Sequence, residues 1–166
     1  MGIAITSYTA LWFLPFVLPI CLWVSWSDLK AMRIPNMSVI ALAAVFLVVG
    51  LVALPLAEMP WRILIMVVTL VIMFVANIAG LMGAGDSKFI AAAAPFIDPA
   101  DVSLVVFLFT ANLLACFATH RLAKHTGLRQ MAPEWTSWDR GRKFPMGFPL
   151  SMTLVLYLAL GAGFGA

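Results

Sequence analysis

WRILIMVVTLVIMFVANIAGLM, residues 61–82, holds a single charged side chain, Arg62, near its start. A helix of about 20 residues rises far enough to cross ~30 Å of hydrocarbon. Lipid offers no partner to a peptide N–H or C=O, so a lone spanning segment must bond internally and is a helix. The apolar run stops at GAGDSK, residues 83–88, and an aspartate, Asp86, stands where it stops.

Working outward, four more runs read the same way: about Tyr8 to Trp26, Ser38 to Ala57, Val102 to Thr119 and Met146 to Phe164. A shorter apolar piece, Phe89 to Ile97, is closed by Asp98-Pro99 and covers only about half a bilayer as a helix. Of the 166 residues, 64% are hydrophobic and 10% charged, and the mean hydropathy is +1.06. A soluble domain of this length needs a more charged surface. The expectation is an all-α, polytopic membrane helix bundle of about six helices, one of them short (89–97), forming a single membrane-embedded domain over residues 1–166.

Charge placement orients the bundle. If 89–97 crosses, Lys30, Arg33, Lys88, Arg121, Lys124, Arg129, Arg140, Arg142 and Lys143 share the cytoplasmic side, with only Arg62 outside. If it does not, the basic stretch from His120 to Lys143 falls outside, against the positive-inside rule. Six crossings with both termini outside follow. Tyr8, Trp12, Trp23, Trp26 and Trp61 lie near span ends, as interfacial aromatics do. The stretch 120–143 carries Trp135 and Trp138 and reads as lying on the membrane surface. No Lys or Arg precedes the first run, and no small-residue cleavage site follows it, so it reads as a retained helix. Cys21 and Cys116 are isolated within apolar runs. They form no CxxC pair, which excludes a zinc ribbon.

Seven acidic residues remain to be placed. Glu58, Asp98, Asp101, Glu134 and Asp139 are expected in loops reached by water. Asp28 and Asp86 instead stand at the ends of apolar helices, on the same cytoplasmic edge. An ionisable group at that depth is costly and is a functional candidate by default. Two neighbouring carboxylates do not both ionise easily, and a pair sharing a proton can act as acid and base on one water. That chemistry hydrolyses an amide without a metal or a covalent intermediate. Pro35 biases Ile34 to an extended shape and fixes a turn after Asp28. Gly83 and Gly85 allow close backbone approach beside Asp86, which is expected to cap a helix beginning near Ser87.

Plainer readings stand beside these. Taken alone, Asp86 reads more simply as a helix cap, Asp28 as readily as a solvated loop aspartate, and Lys88 and Arg33 more simply as membrane anchors. Asn77 and Asn112 read as interhelical hydrogen-bond formers, and His120 and His125 as solvated interfacial residues.

Three segments together resemble the type IV prepilin peptidase family, aspartyl enzymes of the GxGD type. They are Asp28…Ile34-Pro35-Asn36, Gly83-Ala84-Gly85-Asp86-Ser87-Lys88 and Phe144-Pro145-Met146-Gly147-Phe148-Pro149. The chain lacks the CxxC-bearing cytoplasmic domain of longer members, which is linked to N-methylation. It is similar to the short branch serving Flp-type (tight-adherence) pili, or to the related archaeal preflagellin enzymes, and methyltransferase activity is expected to be absent. The resemblance implies Asp28 and Asp86 as catalytic residues. It implies Lys30, Arg33, Pro35, Asn36, Gly83, Gly85, Lys88, Pro145 and Gly147 as substrate-binding or structural support.

By the same resemblance the substrate is a prepilin with a basic leader and an apolar helix. It is cut at the cytoplasmic face of the inner membrane without cofactor or metal. Membrane lipid and pilus assembly machinery are the expected partners, and nucleic acid is not. A helix end at Asp28 would place that carboxylate at a negative dipole end and Asp86 at a positive one. Two alternatives carry different expectations. A non-catalytic assembly subunit would need neither aspartate, and a small proton-coupled transporter would hold its aspartates deep in the spans.

Overall fold

The computed structural model describes residues 2–126, 129–130, 132–139 and 144–166; the predicted basic positions Arg140, Arg142 and Lys143 lie outside the described residues. Six α-helices appear among the described residues: α1 (Ser7–Ala31), α2 (Asn36–Ala53), α3 (Met59–Ile78), α4 (Ala84–Ala93), α5 (Val102–Lys124) and α6 (Gly147–Phe164). All but α4 are long and apolar enough to cross a membrane. The expected all-helical bundle is the observed one, with its short element in the expected place.

Solvent explains the distribution of side chains. α3 and α5 turn most of their apolar residues outward, and Phe74 and Phe107 are 62% and 69% exposed. Water would make that surface unstable, whereas lipid is as apolar as the residues themselves. Helix α1 is the centre: it packs on α2 along one side and on α6 along the other. Pro15 and Pro19 lie inside it and are tolerated as prolines are in spanning helices. Phe13 stacks on Phe46 and meets Phe96 edge-on, with centroids 6.1 and 4.8 Å apart. These three rings, fully buried, tie α1, α2 and the short 3-10 turn Ala94–Phe96 into one core.

That 3-10 turn extends α4 to the far end of the bundle. Together they cover ~21 Å, short of a full bilayer, yet they join two distinct polar ends. At one end sit Asp28 and Asp86. At the other, Arg62 donates to Ile97 O at 2.6 Å and to Asp98 at 2.7 Å, and meets Glu58 at 3.3 Å. A β-bridge links Ile3 to Gly165 at that same end.

Several sequence expectations change here. Asp101, expected in water, is buried and accepts hydrogen bonds from Ala4 N, Ile5 N and Tyr157 OH. A carboxylate so placed satisfies two backbone amides that precede α1. His120, expected to be solvated, is buried and stacks on the Trp138 ring at 4.7 Å; His125 is exposed. Trp138 is buried too, and Trp135 meets Trp26 edge-on, so this stretch packs against the ends of α1 and α5. Asn112 bridges to α6 through Pro149 O and Thr153 Oγ1, as expected. Asn77 instead donates to Met82 O and closes the end of its own helix.

Candidate active site

Helix α1 continues past Asp28 to Ala31, so this aspartate lies in the last turn and not beyond it. Met32 then takes a left-handed conformation, φ 52°, and its N–H bonds back to Asp28 O at 2.8 Å. A non-glycine residue there carries strain of about 1 kcal/mol. The turn is braced by Ser27 Oγ, which donates to Arg33 O, and by Thr136 Oγ1, which donates to Lys30 O. Pro35 then holds extended backbone as the residue before α2. The side chain of Asp28 is only 5% exposed. Its Oδ2 accepts the N–H of Gly147, the first residue of α6, at 2.7 Å.

Glycine is required at 147 for a steric reason. A Cβ there would lie 2.9 Å from Ile34 and 3.0 Å from Asp28 Oδ2. The same Ile34 closes on the segment that carries Asp86, since a Cβ at Gly85 would lie 3.2 Å from Ile34 Cβ. Ile34 is buried. One side chain from the α1–α2 turn is thus wedged between the first turns of α4 and α6. Sequence reading used Ile34 only as part of a turn; the signal for its role was the pairing of a large apolar residue with glycines in two distant segments.

Asp86 is the third residue of α4, which begins at Ala84. It is not the cap expected near Ser87; Gly83 occupies that position and makes no side-chain cap bond. The Asp86 carboxylate folds back over Gly83, where a Cβ would lie 2.8 Å from Oδ2. A carboxylate in the first turn of a helix is favoured by the N-terminal dipole. Asp28 also faces a helix N-terminus, that of α6, besides the C-terminus of α1. The contrast between the two aspartates expected from helix ends therefore disappears.

Both aspartates line one cavity of about 740 Å³. Arg33, Asn36, Gly83, Gly85 and Lys88 line it as well, with Ile34, Met82, Phe144 and Met146. Lys88 Nζ donates to Asn36 Oδ1 at 3.2 Å, tying α4 to α2. Gly147 enters through its amide, and Pro145 is fully buried beside it. Lys30 is exposed and outside the cavity wall, and Pro35 shapes the turn from behind. Two carboxylates facing one open volume, one of them held by a backbone amide, are equipped to share a proton and to activate water.

The profile of the type IV leader peptidase family matches residues 15–119, which include both aspartates and stop short of the Gly147 segment. Comparison with curated proteins and with solved structures found no match. The match covers well over half of the chain, and this polytopic helical protein belongs to the type IV leader peptidase family.

Proposed function

We propose that the chain is an aspartic endopeptidase that removes the basic leader from Flp-type prepilins at the cytoplasmic face of the inner membrane. The observation that carries this reading is the shared cavity: Asp28 and Asp86 come from segments far apart in sequence and line the same 740 Å³ volume. Family membership supports the peptidase class and the prepilin substrate.

In this reading one carboxylate is ionised and the other protonated. The ionised one takes a proton from water as the water oxygen attacks the scissile carbonyl carbon. The protonated one hydrogen-bonds the carbonyl oxygen as it becomes an oxyanion. Collapse breaks the C–N bond, and the proton first taken from water passes to the leaving amine. The Gly147 amide fixes the Asp28 carboxylate throughout. Sidedness rests on charge. Lys30, Arg33 and Lys88 flank the aspartates, and Arg121 and Lys124 close α5 at that end, whereas Arg62 stands at the other. The positive-inside rule makes the aspartate end cytoplasmic.

The test is purified protein in detergent with a prepilin-like substrate, read by mass. Wild type is expected to release the leader as one fragment, and Asp28→Asn and Asp86→Asn to release none. Cleavage by either variant at the wild-type rate overturns the two-aspartate scheme.

A further inference from the structure

A second cavity, of about 470 Å³, adjoins the first. Leu81, Met82, Gly83, Asp86 and Met146 line both, so the two volumes adjoin at Asp86. From there the second one runs past Ile90 and Leu150 to Ile97 and Tyr157, near the opposite end of the bundle. One wall is α4, the other is α5 through Val105 and Phe109, and the floor is α6.

Its packing leaves this groove open sideways. α5 leans chiefly on α6, whereas α4 leans on α3, α2 and α6. Only 6% of the spanning window of α5 is buried. Beyond Asp86, the only side-chain oxygens on its walls among the described residues are the hydroxyls of Thr153 and Tyr157, and both are engaged: Thr153 with Asn112 and Pro149 O, Tyr157 with Asp101 and Asp98 N. An extended peptide would therefore find no partners for its amides there, whereas a helix brings its own.

We infer that this groove between α4 and α5 seats the apolar helix of the substrate. The helix enters sideways from the lipid, with the scissile bond just beyond its end, at Asp86. The inference rests on the proposed peptidase reading and deepens it. The groove follows α4 and its 3-10 extension for ~20 Å, about 13 helical residues. The helix therefore sets which bond arrives at the aspartates, as a ruler fixed at the far end. Cleavage of a membrane-borne precursor should then exceed that of a soluble peptide carrying the same leader and site.

The experiment compares two substrates in lipid vesicles: a full precursor with its apolar helix, and a short peptide ending just after the site. Wild type is expected to favour the precursor in kcat/KM. Val105→Trp fills the groove and should lower the precursor-to-peptide ratio by about tenfold or more. Val106→Trp, on the lipid face one residue away, should leave both rates and their ratio unchanged. A photoreactive side chain at Phe109 should capture the apolar segment of the precursor. An unchanged ratio in Val105→Trp overturns the inference, as does capture of lipid alone at Phe109 while precursor is being cleaved. Equal wild-type cleavage of both substrates overturns it and leaves the peptidase reading standing. Cleavage of neither substrate removes the peptidase reading, and this inference with it.

Discussion

The amide of Gly147 donates to the carboxylate of Asp28 across 119 positions of sequence, at 2.7 Å. Bonds of this kind, from backbone N–H to a charged acceptor, are short and strong. This one makes the start of α6 part of the geometry around Asp28. Gly147→Ala is expected to push Ile34 and the Asp28 carboxylate apart, since the new methyl would lie at 2.9 and 3.0 Å from them. Misplacing a reacting group by a fraction of an ångström to 1 Å costs on the order of 100-fold in rate. Leader release should fall by about that factor while helix content by circular dichroism stays unchanged. Full activity in this variant would show that the amide does not position Asp28.

Ile34 tests the same geometry from the other side. It fills the space that a Cβ at Gly85 or Gly147 would need, so Ile34→Ala should open a void between the first turns of α4 and α6. Large-to-small changes of this type cost about 2–5 kcal/mol, and Ile→Val about 0.5–1.5. The alanine variant should melt earlier in detergent and cut slower; the valine variant should lie between it and wild type. An alanine variant equal to wild type in both measurements would remove Ile34 as the wedge.

Arg62 separates stability from chemistry. It is buried at the opposite end and holds Ile97 O, Asp98 and Glu58. Removing its guanidinium leaves those acceptors without their donor, at a cost of roughly 1.5–3 kcal/mol. Arg62→Ala should lower the melting temperature and leave kcat of the folded fraction near wild type, since Asp86 stands at the other end of α4. A variant that melts normally but has lost kcat would contradict this division.

Proton sharing has its own signature. A pair with one ionised and one protonated member should give a bell-shaped dependence of kcat/KM on pH. Its two limbs belong to the pair and not to either residue alone. Activity should fall in acid as both carboxylates protonate, and fall in alkali as both ionise. A rate that is flat through both limbs would rule out the shared proton.

Much of the fold was legible because lipid imposes local rules. Residues 61–78 had to be a helix whatever surrounded them, since no neighbour was needed to satisfy their backbone; the run read to Met82 stops at Ile78 and turns at Gly80, φ 72°. The short element at 89–97 was legible from a brief apolar run closed by Asp98-Pro99, and it forms as the end of α4 and the 3-10 turn Ala94–Phe96. Asp28 and Asp86 were visible because ionisable groups at helix ends in so apolar a chain are costly. Asp101 and His120 misled for a related reason. Each looked like a loop or interface residue, and each is buried by partners distant in sequence: Ala4, Ile5 and Tyr157 for the first, Trp138 for the second.

The sequence by itself determined that this protein is a helical membrane bundle and which two aspartates stand at one end of it. Hydropathy and charge are properties of a short segment and its solvent, so a linear reading suffices. The tertiary structure alone decided that Gly147 holds Asp28, that Ile34 wedges between two glycines, and that a groove opens beside Asp86. Those relationships depend on how each helix is rotated about its axis and how closely it meets its neighbour. Packing between helices sets both, and no single segment encodes them.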